Sequence, residues 1–290
     1  MPASKVIALT LVTSAEIFLA SCSTPSQPAQ AIPAIQAQPI EANPAAPRAV
    51  VVQTPKPAEP PEVNPAEPPR HSLKARNFSA RGIEFSVVSF DTRDHHLFVD
   101  DQPGGPGSEY DQADDPGRGH LAAINGGFFT PEGDPLGLVV TKGRRRGGIN
   151  RASYLGTGFF LGPQARLMSR TEFLQTSPKS SEVLQSGPRL LWSGETLTGL
   201  SNKDERPRSF LLWDGGYHFA LGYADSATLK ALSSALKSQP LSGFKIAYAL
   251  NLDGGRSSDL WVSGSVNGGG FTRRSFFNKD VRNYLVLKKR

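Results

Sequence analysis

More than half of the 24 prolines in this 290-residue chain fall before residue 70, in a stretch whose one aromatic is Phe18. Proline has no backbone N–H to give a helix or a sheet ladder, and a segment poor in large apolar side chains has little to bury. The first seventy residues are therefore expected to build no core. What remains is about 215 residues, an ordinary size for one domain.

The beginning of that proline-rich region has its own logic. "SKVIALTLVTSAEIFLASCS" places Lys5 before a short apolar stretch and ends in Leu19-Ala20-Ser21-Cys22. The stretch is short for a bilayer span and reads as an export signal over residues 1–21. Leu-Ala-Ser-Cys resembles the bacterial lipobox, in which Cys22 is lipidated and becomes the mature N-terminus. The alternative is an ordinary cleaved signal with an incidental cysteine. Cys22 is the only cysteine, so lipidation would leave no thiol for a disulfide. Acyl chains on Cys22 would make the membrane a partner through a lipid anchor, and Ser23 points to the periplasmic face of an outer membrane. Residues 22–72 then read as a Pro/Ala/Gln/Glu tether, reaching roughly 150 Å if fully extended as polyproline II.

A formal charge of +6 suits anionic partners, yet the basic residues are scattered. Arg144-Arg145-Arg146 and Lys288-Lys289-Arg290 are the only runs, and neither is interleaved with aromatics, so no nucleic-acid partner is expected. His95 and His96 are adjacent on an expected strand and face opposite sides; His71, His120 and His218 are isolated. No metal site and no cofactor are expected, with a divalent cation left open.

From about residue 73 to residue 290 the pattern is that of strands. "IEFSVVSFD" and "HHLFVDD" run apolar or alternate around a turn at Thr92-Arg93-Asp94. "PLGLVVTKGRRRGGI" reads as a strand pair turned at Lys142-Gly143, and "GTGFFLG" with "ARLM" as another. "DQPGGPGSEYDQADDPGRG" is a loop on composition. "SRTEFLQT" carries a capping box, Ser169 with Glu172. "DSATLKALSSALKSQP" is the clearest helix, capped by Asp225 or Ser226 and closed by Pro240. The expected fold is α+β: one strand-rich domain with a twisted mixed sheet and one or two packed helices.

Four short polar residues stand before Gly-Gly: Asn125, Asp214, Asp253 and Asn267. Asp214 and Asn267 have strands on both sides and read as hairpin turns. Asn125 and Asp253 do not return at once as strands. In "INGGFFT" and "LDGGRSS" the chain leaves the sheet with a polar side chain and unshielded backbone, where N–H groups can approach an anion. A plain strand-end bend is the equal alternative.

"AAINGGFFTPEGDPLGLVV", "LQSGPRLL", "RPRSF" and "ALNLDGGRSSDLW" occur in this order at suitable separations. Together they resemble the phosphodiester glycosidase family, over about residues 75–290. The resemblance implies hydrolysis of a sugar-1-phosphodiester at the glycosidic carbon, releasing free sugar and a phosphomonoester. Carried over by motif, it marks Asn125, Gly126 and Gly127; Ser186, Gly187 and Pro188; Arg208; and Asn251, Asp253, Gly254, Gly255, Ser257 and Ser258.

Glycosidases ordinarily use two carboxylates. A departing phosphate is already a weak base, so neutralising its charge matters more than protonating it. The expected roles are Asp253 as general base or nucleophile, Arg208 as phosphate partner, and Asn125 with the Gly126-Gly127 backbone orienting substrate oxygens. Asp134 is the candidate second carboxylate, with a turn-capping aspartate the favoured alternative. The expected partner is a sugar phosphate or glycan of the bacterial envelope. Two rivals stand beside this: a non-catalytic module binding a phosphorylated envelope glycan, and a structural envelope lipoprotein.

Overall fold

The computed structural model describes residues 67–102, 113–238, 243–274, 277 and 280–290. The expected export signal, Cys22 and nearly all of the tether lie outside these residues, as do most of the glycine-rich loop after Gln102 and Pro240. Residues Pro65–Arg290 form one compact unit.

Three sheets build this unit. In the largest, β2 (Ile83–Asp91), β13 (His218–Ala227), β12 (Arg206–Trp213) and β14 (Tyr248–Asn251) lie side by side. Strand β1 (Lys74–Ala80) flanks β2, and β10 (Arg189–Trp192) with β11 (Glu195–Thr196) flanks β14. The second sheet has the order β16 (Phe271–Arg274), β15 (Asp259–Val262), β4 (His120–Asn125), β17 (Asn283–Lys289) and β3 (His95–Asp101). The third runs β6 (Arg144–Arg146), β5 (Val139–Thr141), β9 (Glu182–Ser186), β7 (Gly158–Gly162) and β8 (Arg166–Ser169).

Strand-rich α+β character is as expected, but the mixed sheet is not. All the strand ladders among the described residues are antiparallel, and the parallel contact is an isolated bridge between Lys74 and Asn267. Parallel neighbours need crossover helices. The described residues offer only α1 (Arg170–Thr176) and α2 (Leu229–Ser238), and neither bridges two strands that pair with each other.

The largest sheet is a middle layer, buried on both faces. Phe85, Val87, Phe210 and Leu212 face α2, where they meet Leu232 and Leu236. Alternate residues Val88, Phe90, Leu211 and Leu221 face the other way, against Ile124, Leu184 and Leu285 of the two smaller sheets. That is why "IEFSVVSFD" reads apolar almost without interruption. Helix α1 begins as expected, with the Glu172 N–H donating to Ser169 Oγ at 3.1 Å. Helix α2 begins later than expected. Asp225 and Ser226 still belong to β13, and the cap is Thr228, whose Oγ1 accepts from the Ala231 N–H at 3.1 Å.

The segment just before β1 is anchored by a buried acid. Asp91 accepts from Arg93 Nε at 2.9 Å and Nη2 at 2.6 Å, and from the backbone N–H groups of Arg93 and His71. Burial opposes its charge, but these donors outweigh burial and hold the carboxyl far below its ordinary 3.8. A depressed folded-state pKa gives stability that is present above the unfolded value and lost as pH falls toward the folded one. Acidification below about pH 4 is therefore expected to weaken the fold. Asp91→Asn should lower the urea midpoint near neutrality and flatten its fall between about pH 5 and about pH 3. An unchanged acid limb in the variant would refute the assignment.

Candidate active site

One end of the molecule collects the polar strand ends. Strands β4, β9 and β14 terminate in Asn125, Ser186 and Asn251, β17 begins at Asn283, and Arg208 lies near the start of β12. Asn125 is fully buried. Its Nδ2 donates to the Asp253 carbonyl at 2.8 Å, and its Oδ1 accepts the Asp259 N–H at 2.9 Å. One amide thus spans both sides of the 253–259 loop. The Asp253 N–H completes the junction by donating to the Gly126 carbonyl at 2.9 Å.

Gly126 and Gly127 differ from the expectation of an anion nest. The Gly126 N–H donates to the Asn283 carbonyl at 2.8 Å, and the Gly127 N–H donates to Asn283 Oδ1 at 2.6 Å. Both donors are consumed within the protein. Their lack of side chains serves packing instead. A Cβ on Gly126 would lie 2.2 Å from Asn283 Oδ1, and one on Gly127 2.8 Å from the Gln185 carbonyl. The loop backbone likewise engages both ends of the Asn125 amide, an arrangement that suits a positioning role.

Asp253 and Arg208 adjoin each other at this junction. Asp253 is half-buried, and its Oδ1 accepts the Gly254 N–H at 2.8 Å, which orients the carboxylate. Gly255, at φ +67°, then turns the chain into a single 3-10 turn, Gly255–Ser257. A Cβ on Gly254 would stand 3.4 Å from Arg208 Nη1, so the guanidinium borders the Asp253-Gly254 backbone directly. Arg208 is 8% exposed and donates to the carbonyls of Ala227 (Nε, 3.0 Å) and Asp204 (Nη2, 2.9 Å). It has no carboxylate ion-pair partner among the described residues; the Asp204 carboxylate pairs with Arg206 at 3.4 Å. Burial first, and the neighbouring Arg206 second, bring its pKa down to about 10, so it stays cationic at neutral pH.

Residues 118–288 match the phosphodiester glycosidase family. The chain belongs to that family. Its members are glycosidase-type hydrolases. The zebrafish N-acetylglucosamine-1-phosphodiester alpha-N-acetylglucosaminidase catalytic domain, auto-inhibited by its pro-peptide, matches with a TM-score of 0.50 at 17% identity, over 76% of this chain and 83% of that one. A Synechocystis protein matches with a TM-score of 0.48 at 14% identity, over 74% of this chain and 61% of that one. An exported protein from Burkholderia pseudomallei matches with a TM-score of 0.42 at 12% identity, over 71% and 74%. A search of curated protein sequences returned no match.

In this phosphodiester glycosidase family member the remaining candidates line the same junction. Asn251 donates through Nδ2 to the carbonyls of Gly187 (2.9 Å) and Leu252 (2.6 Å), binding the β9–β10 turn to the end of β14. Ser257 is buried, and its N–H bonds the Gly254 carbonyl at 3.4 Å. Asn251 Oδ1, Ser186 Oγ and Ser258 Oγ are buried with no hydrogen-bond partner. Unpaired buried polar atoms are costly, and so many at one junction mark it as built around something other than packing.

Two essential scaffold residues were not anticipated from sequence. Gln185 satisfies both ends of its amide with four bonds, to the backbone of Leu138, Gly156 and, twice, Asn150. Asn283 holds the glycine pair. The sequence signal for each is a polar residue inside an apolar strand, "EVLQS" and "NYLVLKK", on no motif that chemistry requires. Asp259 also escaped notice. It is buried, pairs with Arg274 (2.7 Å) and Tyr284 (3.2 Å), and burial lifts its carboxyl above the usual range despite both partners. Asp134 is exposed, in a turn where its N–H donates to Thr130 Oγ1 at 3.3 Å. Cavities of about 960 Å³ beside His218 and about 540 Å³ beside His120 are lined by none of the candidate residues. Among the described residues no group of three His, Cys, Asp or Glu side chains is placed to hold a metal.

Proposed function

We propose that this protein hydrolyses a sugar-1-phosphodiester at the glycosidic carbon. Asp253 activates water or attacks C1; the C1–O bond breaks, and its electron pair leaves on the phosphate oxygen. Arg208 neutralises that oxygen, while Asn125, Asn283 and Gln185 hold the loops that position the pair. The observation that carries the reading is Arg208: a nearly buried cation, beside Asp253, with backbone carbonyls and no carboxylate as partners. Burying an unpaired charge is unfavourable, and a phosphate is the natural anion to complete it. The lipobox-like N-terminus and proline-rich segment support an envelope setting with a phosphorylated envelope glycan or glycolipid as substrate.

The test is hydrolysis of UDP-N-acetylglucosamine in ¹⁸O-water. Label in the released sugar supports glycosidic cleavage. Label in the phosphate would mean attack at phosphorus and overturn the reading, and binding without release would make the protein a glycan-binding module. Arg208→Met should lower kcat/KM about 10²- to 10³-fold, as removal of one charge-stabilising donor does. Arg208→Lys should recover part of that loss, which separates charge from mere packing.

A further inference from the structure

The rim of the site bears on what the sugar phosphate is attached to. Five large apolar side chains are exposed among the described residues: Leu136 (41%), Tyr154 (42%), Leu155 (36%), Tyr217 (40%) and Phe277 (70%). Four of the five border the site, and Tyr217 lies elsewhere, under Arg93. Their neighbours trace the rim. Asn150 donates to the Leu136 carbonyl and accepts the Ser153 N–H, joining the Leu136 loop to the one carrying Tyr154 and Leu155. The Tyr154 carbonyl lies 3.0 Å from where a Cβ on Gly187 would stand, and its ring is close enough to Arg208 to feel that charge. On the other side of Asp253, Arg256 Nε donates to the Phe277 carbonyl at 2.7 Å.

Cations accompany these tips. Arg256 and Arg145 are exposed, and Arg145 Nε donates to the carbonyl of Gly147, which packs against Pro135 beside Leu136. Single exposed apolar residues are ordinary on any surface. Four beside one junction, with exposed arginines among them, are not. Aromatics alone would fit a soluble glycan, whose sugar faces stack on rings; leucines offer no such face. Apolar tips flanked by arginines match an anionic bilayer, where the tips enter the acyl boundary and the arginines meet lipid phosphates. Among the described residues no helix is long and apolar enough to cross a membrane, and this contact needs none.

We infer that the substrate is a glycosyl phospholipid, a sugar joined through its C1 phosphodiester to a lipid, taken at an anionic bilayer surface that Leu136, Tyr154, Leu155 and Phe277 enter. The inference rests on the glycosidase reading above. Water supplies the oxygen of the new C1–OH and loses its proton to Asp253. The sugar departs, and the lipid phosphomonoester stays in the bilayer.

Two measurements on the full chain test it. In a Cys22→Ser background, Leu155→Cys carries a polarity-sensitive fluorophore, with Lys179→Cys, exposed before β9 at the opposite end from Ser186, as control. Phosphatidylglycerol-containing vesicles should blue-shift the label at 155 and leave the label at 179 unchanged; both chains share the same N-terminus, so anchoring there cannot mimic the difference. No shift at 155, or equal shifts at both, overturns the contact. The second measurement compares N-acetylglucosaminyl-1-phospho-polyprenol in those vesicles with soluble UDP-N-acetylglucosamine. Leu136→Ser with Leu155→Ser should cut turnover of the lipid substrate at least about tenfold and leave the soluble one unchanged. Hydrolysis of the soluble substrate alone by the parent chain overturns the lipid inference and spares the glycosidase reading. Hydrolysis of neither overturns both.

Discussion

Asp253→Asn is expected to lower kcat on a sugar-1-phosphodiester by at least about 10³-fold, some 4 kcal/mol of transition-state stabilisation, while the fold survives. The survival follows from how Asp253 is used. Its N–H and C=O tie it to Gly126 and Asn125. The side-chain bond within the loop, Gly254 N–H to Oδ1 at 2.8 Å, is one that the Oδ1 of asparagine can also accept. Both backbone bonds and this acceptor survive in the variant, so it is expected to fold. An asparagine carries no charge to take a proton from water or to attack C1, so the loss falls on kcat more than on KM. The anomer first released by the parent chain distinguishes the two roles: retention means that Asp253 attacks C1, and inversion means that it activates water. A folded Asp253→Asn protein with near-parental turnover would remove Asp253 from the chemistry.

Much of the local structure was readable from local signals. Asp214-Gly-Gly makes its hairpin because the turn is decided within four residues, with Asp214 Oδ1 accepting the Gly216 and His218 N–H groups. The Lys142-Gly143 turn and the Ser169 cap are equally short-range. Pairing was not readable. Strand β2 lies beside β13, more than a hundred residues away, and periodicity tells which side chains share a face without telling which strand is the neighbour. Three antiparallel sheets and one mixed sheet have the same alternation.

The site shows the same divide. Asn125 and Asp253 look alike in sequence, each a short polar residue at a strand end before two glycines. One is buried and bonded to backbone at both ends, and the other is half-buried beside Arg208. Only the packing partners separate scaffold from chemistry, and those of Asn125, the Asp253 carbonyl and the Asp259 N–H, lie more than a hundred residues along the chain. The family motifs picked residues that the structure brings together and were silent on this division of labour.

That division makes the second large prediction. Asn125→Ala is expected to destabilise the domain by about 2 to 6 kcal/mol, because the Asp253 carbonyl and the Asp259 N–H each lose a buried partner at about 1 to 3 kcal/mol. Against a total stability of about 5 to 15 kcal/mol the loss is large, and the urea midpoint should fall accordingly. Asn125→Asp tests positioning apart from stability. It keeps an acceptor for the Asp259 N–H but offers the Asp253 carbonyl no donor unless protonated, and it sets a second acid beside Asp253. The Asp253 loop should then be correctly placed only when residue 125 is protonated, so activity of Asn125→Asp should recover toward acidic pH while Asn125→Ala shows no such recovery. A scaffold that merely fills space would show neither the pH dependence nor the difference between the two variants.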